Sequence, residues 1–185
     1  MQKIHFKAPN CWINDPNGFI WYKGQYHLFY QCFPYAPQWG RMHWGHAVSK
    51  DLVNWEEKGI ALYPTKTDDR SGCFSGSAVE QDGTMYLYYT GVNYLEEDPE
   101  NINHCKNDQF LSAQMMISSA DGMTFDNVHD KKTIIPSIAE DKIGSKTHTR
   151  DPKVWRGTDA WYMVLGSSVA QKGRLLICLL YTSPS

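Results

Sequence analysis

The sequence predicts an all-β chain, the N-terminal part of a β-propeller with about three blades, the last incomplete. Three observations carry the prediction. Asp15, Ser75 and Asp151 each stand eleven residues before a tyrosine, at Tyr26, Tyr86 and Tyr162. Each interval runs through a short apolar stretch, a turn that contains a glycine, and a second apolar or aromatic stretch. A third-strand tail, Ser-x-Asp-x-x-x-aromatic, recurs at Ser49 to Trp55 and at Ser119 to Phe125. Self-similarity at a recurring interval is the mark of repeat architectures.

The elements follow in order. Phe19-Ile20-Trp21-Tyr22, then Lys23-Gly24, then Gln25 to Tyr30 reads as two strands joined by a tight hairpin, because glycine supplies the positive φ such turns need. Ala47-Val48-Ser49-Lys50-Asp51 supplies the next strand. In the second unit Ala78-Val79-Glu80 turns through Gln81-Asp82-Gly83 into Met85 to Tyr89, and Ile117 to Asp121 matches the third strand of the first. The third unit runs from Val154-Trp155 through Arg156-Gly157-Thr158 into Trp161 to Leu165.

The units begin 60 and then 76 residues apart, longer than the roughly 40–50 residues of an ordinary blade. Residues 93–109, polar and aperiodic, read as a long loop that accounts for the surplus. A unit beginning at Asp151 has too few residues left to finish, so the chain reads as an open piece of a closed architecture. Short strands with regular turns also suit a β-sandwich. The repeat favours the propeller.

Composition narrows the function. A net charge of −2, with basic residues scattered, gives no electrostatic footprint for nucleic acid or an anionic membrane. No apolar run is long enough to span a bilayer, and residues 1–6 lead into polar sequence instead of a signal peptide core. A cytoplasmic location is expected. Five cysteines at wide spacings fit reduced thiols better than a disulfide framework or a zinc site. Residues 178–185 read as a non-native tail resembling translated adaptor sequence, which puts the partial catalytic propeller at 1–177 and the end of the strand pattern near Ile177.

A propeller aims the first strand of each blade at a central channel, so equivalent positions converge. Asp15, Ser75 and Asp151 are therefore expected around one cavity. Two carboxylates in an aromatic-rich cavity point to glycoside chemistry, in which one is ionised and attacks or stabilises a positively charged sugar carbon. Alone, Asp15-Pro16-Asn17-Gly18 equally suits a β-turn, and Arg150-Asp151 equally suits a surface pair. His43 and His46 suggest a metal at first sight. At that spacing on a strand they point to opposite faces, so a structural role is expected.

Five motifs now identify a resemblance. Trp12-Ile13-Asn14-Asp15-Pro16-Asn17-Gly18, Tyr30-Gln31 with Pro34, Trp39-Gly40 with Met42 to Ala47, Phe74-Ser75-Gly76-Ser77 and Arg150-Asp151-Pro152-Lys153 resemble, in order, the β-fructofuranosidases of glycoside hydrolase family 32. The match runs from about Ile4 to Ile177. The resemblance implies a five-bladed propeller and hydrolysis of terminal β-fructofuranosyl bonds with retention, with sucrose, its 6-phosphate or a fructo-oligosaccharide as the partner. It assigns Asp15 as the nucleophile and Asp151 as the transition-state stabiliser. Trp12, Asn14, Gln31, Trp39, Phe74, Ser75 and Arg150 would line the fructose site, with Trp44 a further aromatic candidate, and no metal or organic cofactor is implied.

The chain departs from the family in one respect. The expected general acid, a glutamate in a downstream Glu-Cys pair, has no counterpart here, and the last glutamate, Glu140, precedes Arg150. These residues alone are therefore expected to be an inactive piece with unpaired sheet edges. A non-catalytic carbohydrate-binding propeller and a related glycosidase of arabinose or xylose polymers are the alternatives. Arg41, Lys66, Arg70 and Lys146 are candidates to meet a sugar phosphate.

Overall fold

The computed structural model describes residues 6–7, 10–140 and 142–180. Readings of residues 1–5 and 181–185 lie outside these. The first blade is an antiparallel meander, β1 (Trp12–Tyr22), β2 (Gln25–Phe33), β3 (His43–Ser49) and β4 (Glu56–Leu62), hydrogen-bonded in that order. The second contains β5 (Gly72–Gln81), β6 (Thr84–Tyr94), β9 (Phe110–Ser119) and β10 (Lys132–Ile135), with a small hairpin, β7 (Glu97–Asp98) and β8 (Asn101–Cys105), inserted after β6. The third has β11 (Arg150–Arg156), β12 (Trp161–Val169) and β13 (Lys172–Leu180). Separate sheets whose first strands β1 and β11 both pack on β5 fit a propeller, and the sandwich reading is set aside.

Local sequence explains the turns. Lys23-Gly24 and Asp82-Gly83 both have two consecutive positive φ values, the two-residue hairpin geometry that asparagine, aspartate and glycine favour. Ala170-Gln171 adopts the same handedness without a glycine, so this hairpin carried no turn signal in the sequence. The Ser-x-Asp signature proves to be a strand terminator. Ser49 Oγ accepts the N–H of Leu52 while Asp51 Oδ1 accepts those of Val53 and Asn54, and Ser119 with Asp121 repeats the arrangement on Gly122, Met123 and Thr124. These bonds pull both aspartates below the usual carboxylate range. The strand itself begins at His43 and ends at Ser49, so the polar tail is turn and not strand.

The core lies between blades. Leu87, Tyr89, Met115 and Ile117 face the first blade, packing with Phe29, Trp44 and Leu62. Their neighbours Tyr88 and Met116 face the third, packing with Val154, Met163 and Leu165. Because side chains alternate, a sheet covered on both faces reads as a continuous apolar run.

Two expectations and one alternative reading need correction. Residues 93–109 are not a featureless loop, since β6 runs to Tyr94 and the β7–β8 hairpin follows. Asp15 to Gly18 is not a β-turn but part of the long strand β1. The strand pattern does not break at Ile177 either. Strand β13 continues to Leu180, with Cys178 and Leu180 packed on the core while Leu175, Ile177 and Leu179 face outward. No helix among the described residues is long and apolar enough to cross a membrane.

Candidate active site

The three repeated polar residues share one backbone device. The register of β1 shifts between Ile13 and Pro16, that of β5 between Cys73 and Gly76, and that of β11 between Arg150 and Lys153. Asp15, Ser75 and Asp151 each fall inside the shift. The residue that follows is Pro16, Gly76 or Pro152, types that mark bulges in strands. A bulge re-aims the side chain it carries, so all three innermost strands turn a polar group out of the ladder at the same point.

The groups then meet across blades. Ser75 Oγ donates to Asp15 Oδ2 at 2.6 Å. Gly76 N–H donates to Asn17 Oδ1 at 3.2 Å, tying the second blade to the first. Ser77 Oγ donates to the Pro152 carbonyl at 2.8 Å and accepts the N–H of Val154, tying the second to the third. Beside Asp15, Trp12 Nε1 donates to Asn14 Oδ1 at 2.8 Å, and Asn14 Nδ2 donates to Gln31 Oε1 at 2.7 Å. Gln31 Nε2 reaches the Cys73 carbonyl at 3.4 Å, so the amide row is fixed at its far end.

Asp151 has a left-handed backbone, φ +63°, which aspartate tolerates better than bulky residues. Its N–H donates to Thr90 Oγ1 at 3.0 Å; Thr90 Oγ1 donates to Gln114 Oε1, and Gln114 Nε2 to the Thr149 carbonyl. Loss of hydration pushes the Asp151 carboxyl above its usual value, Arg150 opposes this, and the negative charge of Asp15 adds to it. Arg150 Nε lies 3.8 Å from Asp151 Oδ2.

A hollow of about 360 Å³ has Trp39, Phe74 and Arg150 in its wall; neither Asp15 nor Asp151 lines it, and it meets the carboxylates only through Arg150, next to Asp151, and Phe74, next to Ser75. The rings of Trp39 and Phe74 meet edge-on at 6.0 Å. The nine residues that the resemblance assigns to the site thus fall into linked neighbourhoods. Trp44 does not join them; it is fully buried in the core, its Nε1 donating to the Phe74 carbonyl. Of the four candidate phosphate ligands, Arg41, Lys66 and Arg70 are engaged elsewhere, while Lys146 is tied through its backbone carbonyl, which accepts from Ser112 N–H and Ser137 Oγ. Arg41 binds Glu97 and the Ile102 carbonyl, Lys66 the Val128 carbonyl, and Arg70 Asn93 and the Tyr94 carbonyl.

Sequence reasoning missed Thr90, Gln114, His104, Asp108 and His148. Thr90 and Gln114 sit mid-strand among apolar neighbours with no periodic signal, and the last three belong to connecting segments that look merely polar. His43 and His46 are structural: His43 Nδ1 bonds the Arg41 carbonyl, and His46 pairs with His27 in the core. No cluster of three or more histidine, cysteine, aspartate or glutamate side chains among the described residues is placed to hold a metal ion.

The chain is similar to known proteins over most of its length. Residues 5–185 match the glycosyl hydrolases family 32 N-terminal domain. The chain is 46% identical over 165 residues to a sucrose-6-phosphate hydrolase of Zymomonas mobilis, covering 88% of this chain and 29% of that protein. It is 38% identical over 177 residues to a sucrose-6-phosphate hydrolase of Bacillus subtilis, covering 95% and 33%. Among solved structures, a family 32 β-fructofuranosidase of Bombyx mori is similar with a TM-score of 0.80 and 37% identity, over 97% of this chain and 35% of that one. Fructan 1-exohydrolase IIa of Cichorium intybus gives 0.76 and 31%, over 96% and 31%. The chain spans about a third of the length of the curated relatives it matches.

Proposed function

The chain belongs to glycoside hydrolase family 32, and from that membership we propose that the whole protein hydrolyses terminal β-D-fructofuranosyl bonds, in sucrose or its 6-phosphate, with retention of configuration. One observation carries the reading. Two carboxylates and a serine occupy matched bulges on three neighbouring innermost strands, and the serine hydroxyl is bonded to one of the carboxylates.

In this reading an Asp15 carboxylate oxygen attacks the anomeric carbon of the fructosyl group as the bond to the leaving oxygen breaks. The leaving oxygen takes a proton from a general acid, which the family resemblance places in a Glu-Cys pair that this sequence does not contain. Water, giving a proton to the general acid that lost one in the first step, then attacks the same carbon as its bond to Asp15 breaks, releasing fructose and restoring both groups. Two displacements give net retention. The Ser75 bond orients Asp15 with one oxygen occupied and the other free to attack. Asp151 has two acceptor oxygens, which suits it to hold neighbouring sugar hydroxyls as the furanose ring flattens. Trp12, Asn14, Gln31, Trp39, Phe74 and Arg150 line the fructose.

Five unpaired cysteines support a reducing, cytoplasmic setting. The test of the catalytic assignment is Asp15→Asn in the whole protein, with glucose release from sucrose as the readout. Turnover is expected to vanish while the circular dichroism spectrum is kept; an active, folded variant removes Asp15 from the nucleophile role. A whole protein that binds but never cleaves sucrose returns the reading to a carbohydrate-binding propeller.

A further inference from the structure

We propose that Asn17 and Ser77, which occupy the same place in two successive copies of the repeat, are positioning residues. Each reaches out of its own innermost strand and fixes the bulge of the next blade, so that Asn17 sets Ser75 against Asp15 and Ser77 sets Asp151. This rests on the glycosidase reading above.

The two residues share one offset. Asn17 follows Asp15 by two positions, and Ser77 follows Ser75 by two. Both are buried, so neither is a solvated surface group. Of the Asn17 amide only Oδ1 is bonded, Nδ2 having no hydrogen-bond partner among the described residues, so the tie to the next blade is the polar contact this side chain makes.

Each side chain directs its bonds to the same part of the next blade. Asn17 Oδ1 accepts the N–H of Gly76, the residue after Ser75, at 3.2 Å. Ser77 Oγ donates to the carbonyl of Pro152, the residue after Asp151, at 2.8 Å and accepts the N–H of Val154 at 3.1 Å. These backbone groups lie within or beside the register shifts that expose Ser75 and Asp151. A bulge locally disrupts its own ladder, so the strand around it loses part of the support that holds it in place. The neighbouring blade supplies that support.

The bonds control the aim of the acidic pair. Ser75 and Gly76 are adjacent; the hydroxyl of the first donates to Asp15 at 2.6 Å while the N–H of the second donates to Asn17. The two bonds close a ring that runs from Asp15 along β1 to Asn17, across to Gly76, back to Ser75 and across again to Asp15. Without the Asn17 bond, β5 pivots about the one that remains. At the third blade, Thr90 holds the N–H of Asp151 and Ser77 holds the Pro152 carbonyl and the Val154 N–H, so one short segment is gripped at three successive points. Asn17 and Ser77 act through Ser75 and Asp151, not on the sugar.

The experiment uses the whole protein, sucrose and sucrose 6-phosphate as substrates, and two double-mutant cycles. Ser77→Ala and Asn17→Ala are each expected to lower kcat about tenfold with KM within about twofold, the pattern of a misplaced group needed at the transition state. On a Ser75→Ala background, Asn17→Ala is expected to cost less than about threefold more, because the residue it acts through is already gone. Ser77→Ala combined with Thr90→Val is likewise expected to cost less than the product of the separate losses, since both release the same segment. Residues that only stabilise the fold lower the melting temperature and leave kcat of the folded protein alone. Losses that multiply in either cycle, or a Ser77→Ala variant with the parent kcat, overturn the proposal. If Asn17→Ala does not fold, the Ser77 cycle, which begins by removing a single oxygen, decides alone. A parent protein inactive on both substrates is a different result, and it takes down the glycosidase reading and this proposal with it.

Discussion

Thr90 Oγ1 accepts the backbone N–H of Asp151 at 3.0 Å from inside the second blade, so the left-handed backbone that aims this carboxylate is held by a neighbouring sheet and not by its own strand. Thr90 is fully buried, and replacing it with valine keeps the volume while leaving that N–H and Gln114 Oε1 without their partner. An unsatisfied buried group costs about 1–3 kcal/mol. Misplacing a catalytic group by about an ångström can cost 10²-fold. Thr90→Val is therefore expected to lower kcat of the whole protein at least tenfold with little change in KM, and Thr90→Ser to restore most of it. Equal kcat values for the three proteins would show that Thr90 has no positioning role.

Ser75→Ala removes the hydroxyl that binds Asp15 Oδ2 and frees the carboxylate to turn. Hydrogen bonds to charged groups are worth about 1.5–3 kcal/mol, which converts to roughly 10- to 100-fold in kcat/KM if the bond is needed at the transition state. The measurement is sucrose hydrolysis by the whole protein, with thermal denaturation as the control for folding. Loss of less than threefold would leave Ser75 as a spectator.

How much of this was legible in sequence depends on what each residue does. Asp15, Ser75 and Asp151 were legible because the bulge that exposes each of them comes with a proline or glycine and recurs at a fixed distance from a tyrosine. The propeller was legible for the same reason. Thr90 and Gln114 act through a hydrogen-bond relay that joins residues 24 to 61 positions apart, and nothing local announces such a relay. The β7–β8 hairpin has two-residue and five-residue strands, too short for alternation to register.

Gly76→Ala tests the bulge itself. A Cβ built on Gly76 runs into the Tyr88 carbonyl oxygen, which is backbone in the paired strand and has no room to withdraw. Overpacking of this kind typically costs about 1–3 kcal/mol or more. The expected outcome is a lowered melting temperature together with lost turnover, because Ser75 and Ser77 flank the position. A variant as stable and active as the parent would mean that β5 shifts freely, contrary to its tight contact with β6.

Lys131 and Asp69 form a 2.6 Å ion pair with both side chains wholly buried, joined by the Tyr89 hydroxyl at 2.8 Å. Breaking a buried pair from one side leaves a charge without compensation and costs about 3–5 kcal/mol. Lys131→Met alone is expected to lower stability by that order. Adding Asp69→Asn removes the stranded charge and is expected to recover part of the loss, read as the midpoint of urea denaturation. No recovery in the double variant would place the damage in packing around Tyr63 and Cys73.

The paired imidazoles of His27 and His46 predict an acid sensitivity. His27 Nδ1 and His46 Nε2 lie 3.0 Å apart in the core, an arrangement with one proton between the two nitrogens, and Phe29 stacks on His46 at 4.3 Å. Burial pushes His46 down to about 3, with the neighbouring His27 and then Lys58 adding to the effect, and burial also lowers His27. Once unfolded, both rings return toward 6.5, so below that pH the unfolded chain binds protons that the folded chain refuses. Their contribution to stability is therefore full above about pH 6.5 and is lost as pH falls toward 3, by roughly 1.4 kcal/mol per pH unit for one such group. His46→Gln removes one titrating ring while keeping a hydrogen-bonding side chain beside His27. Melting temperatures measured from pH 7.5 down to about pH 4.5 should fall less steeply for the variant, and parallel curves would show that the buried pair does not set the acid limit.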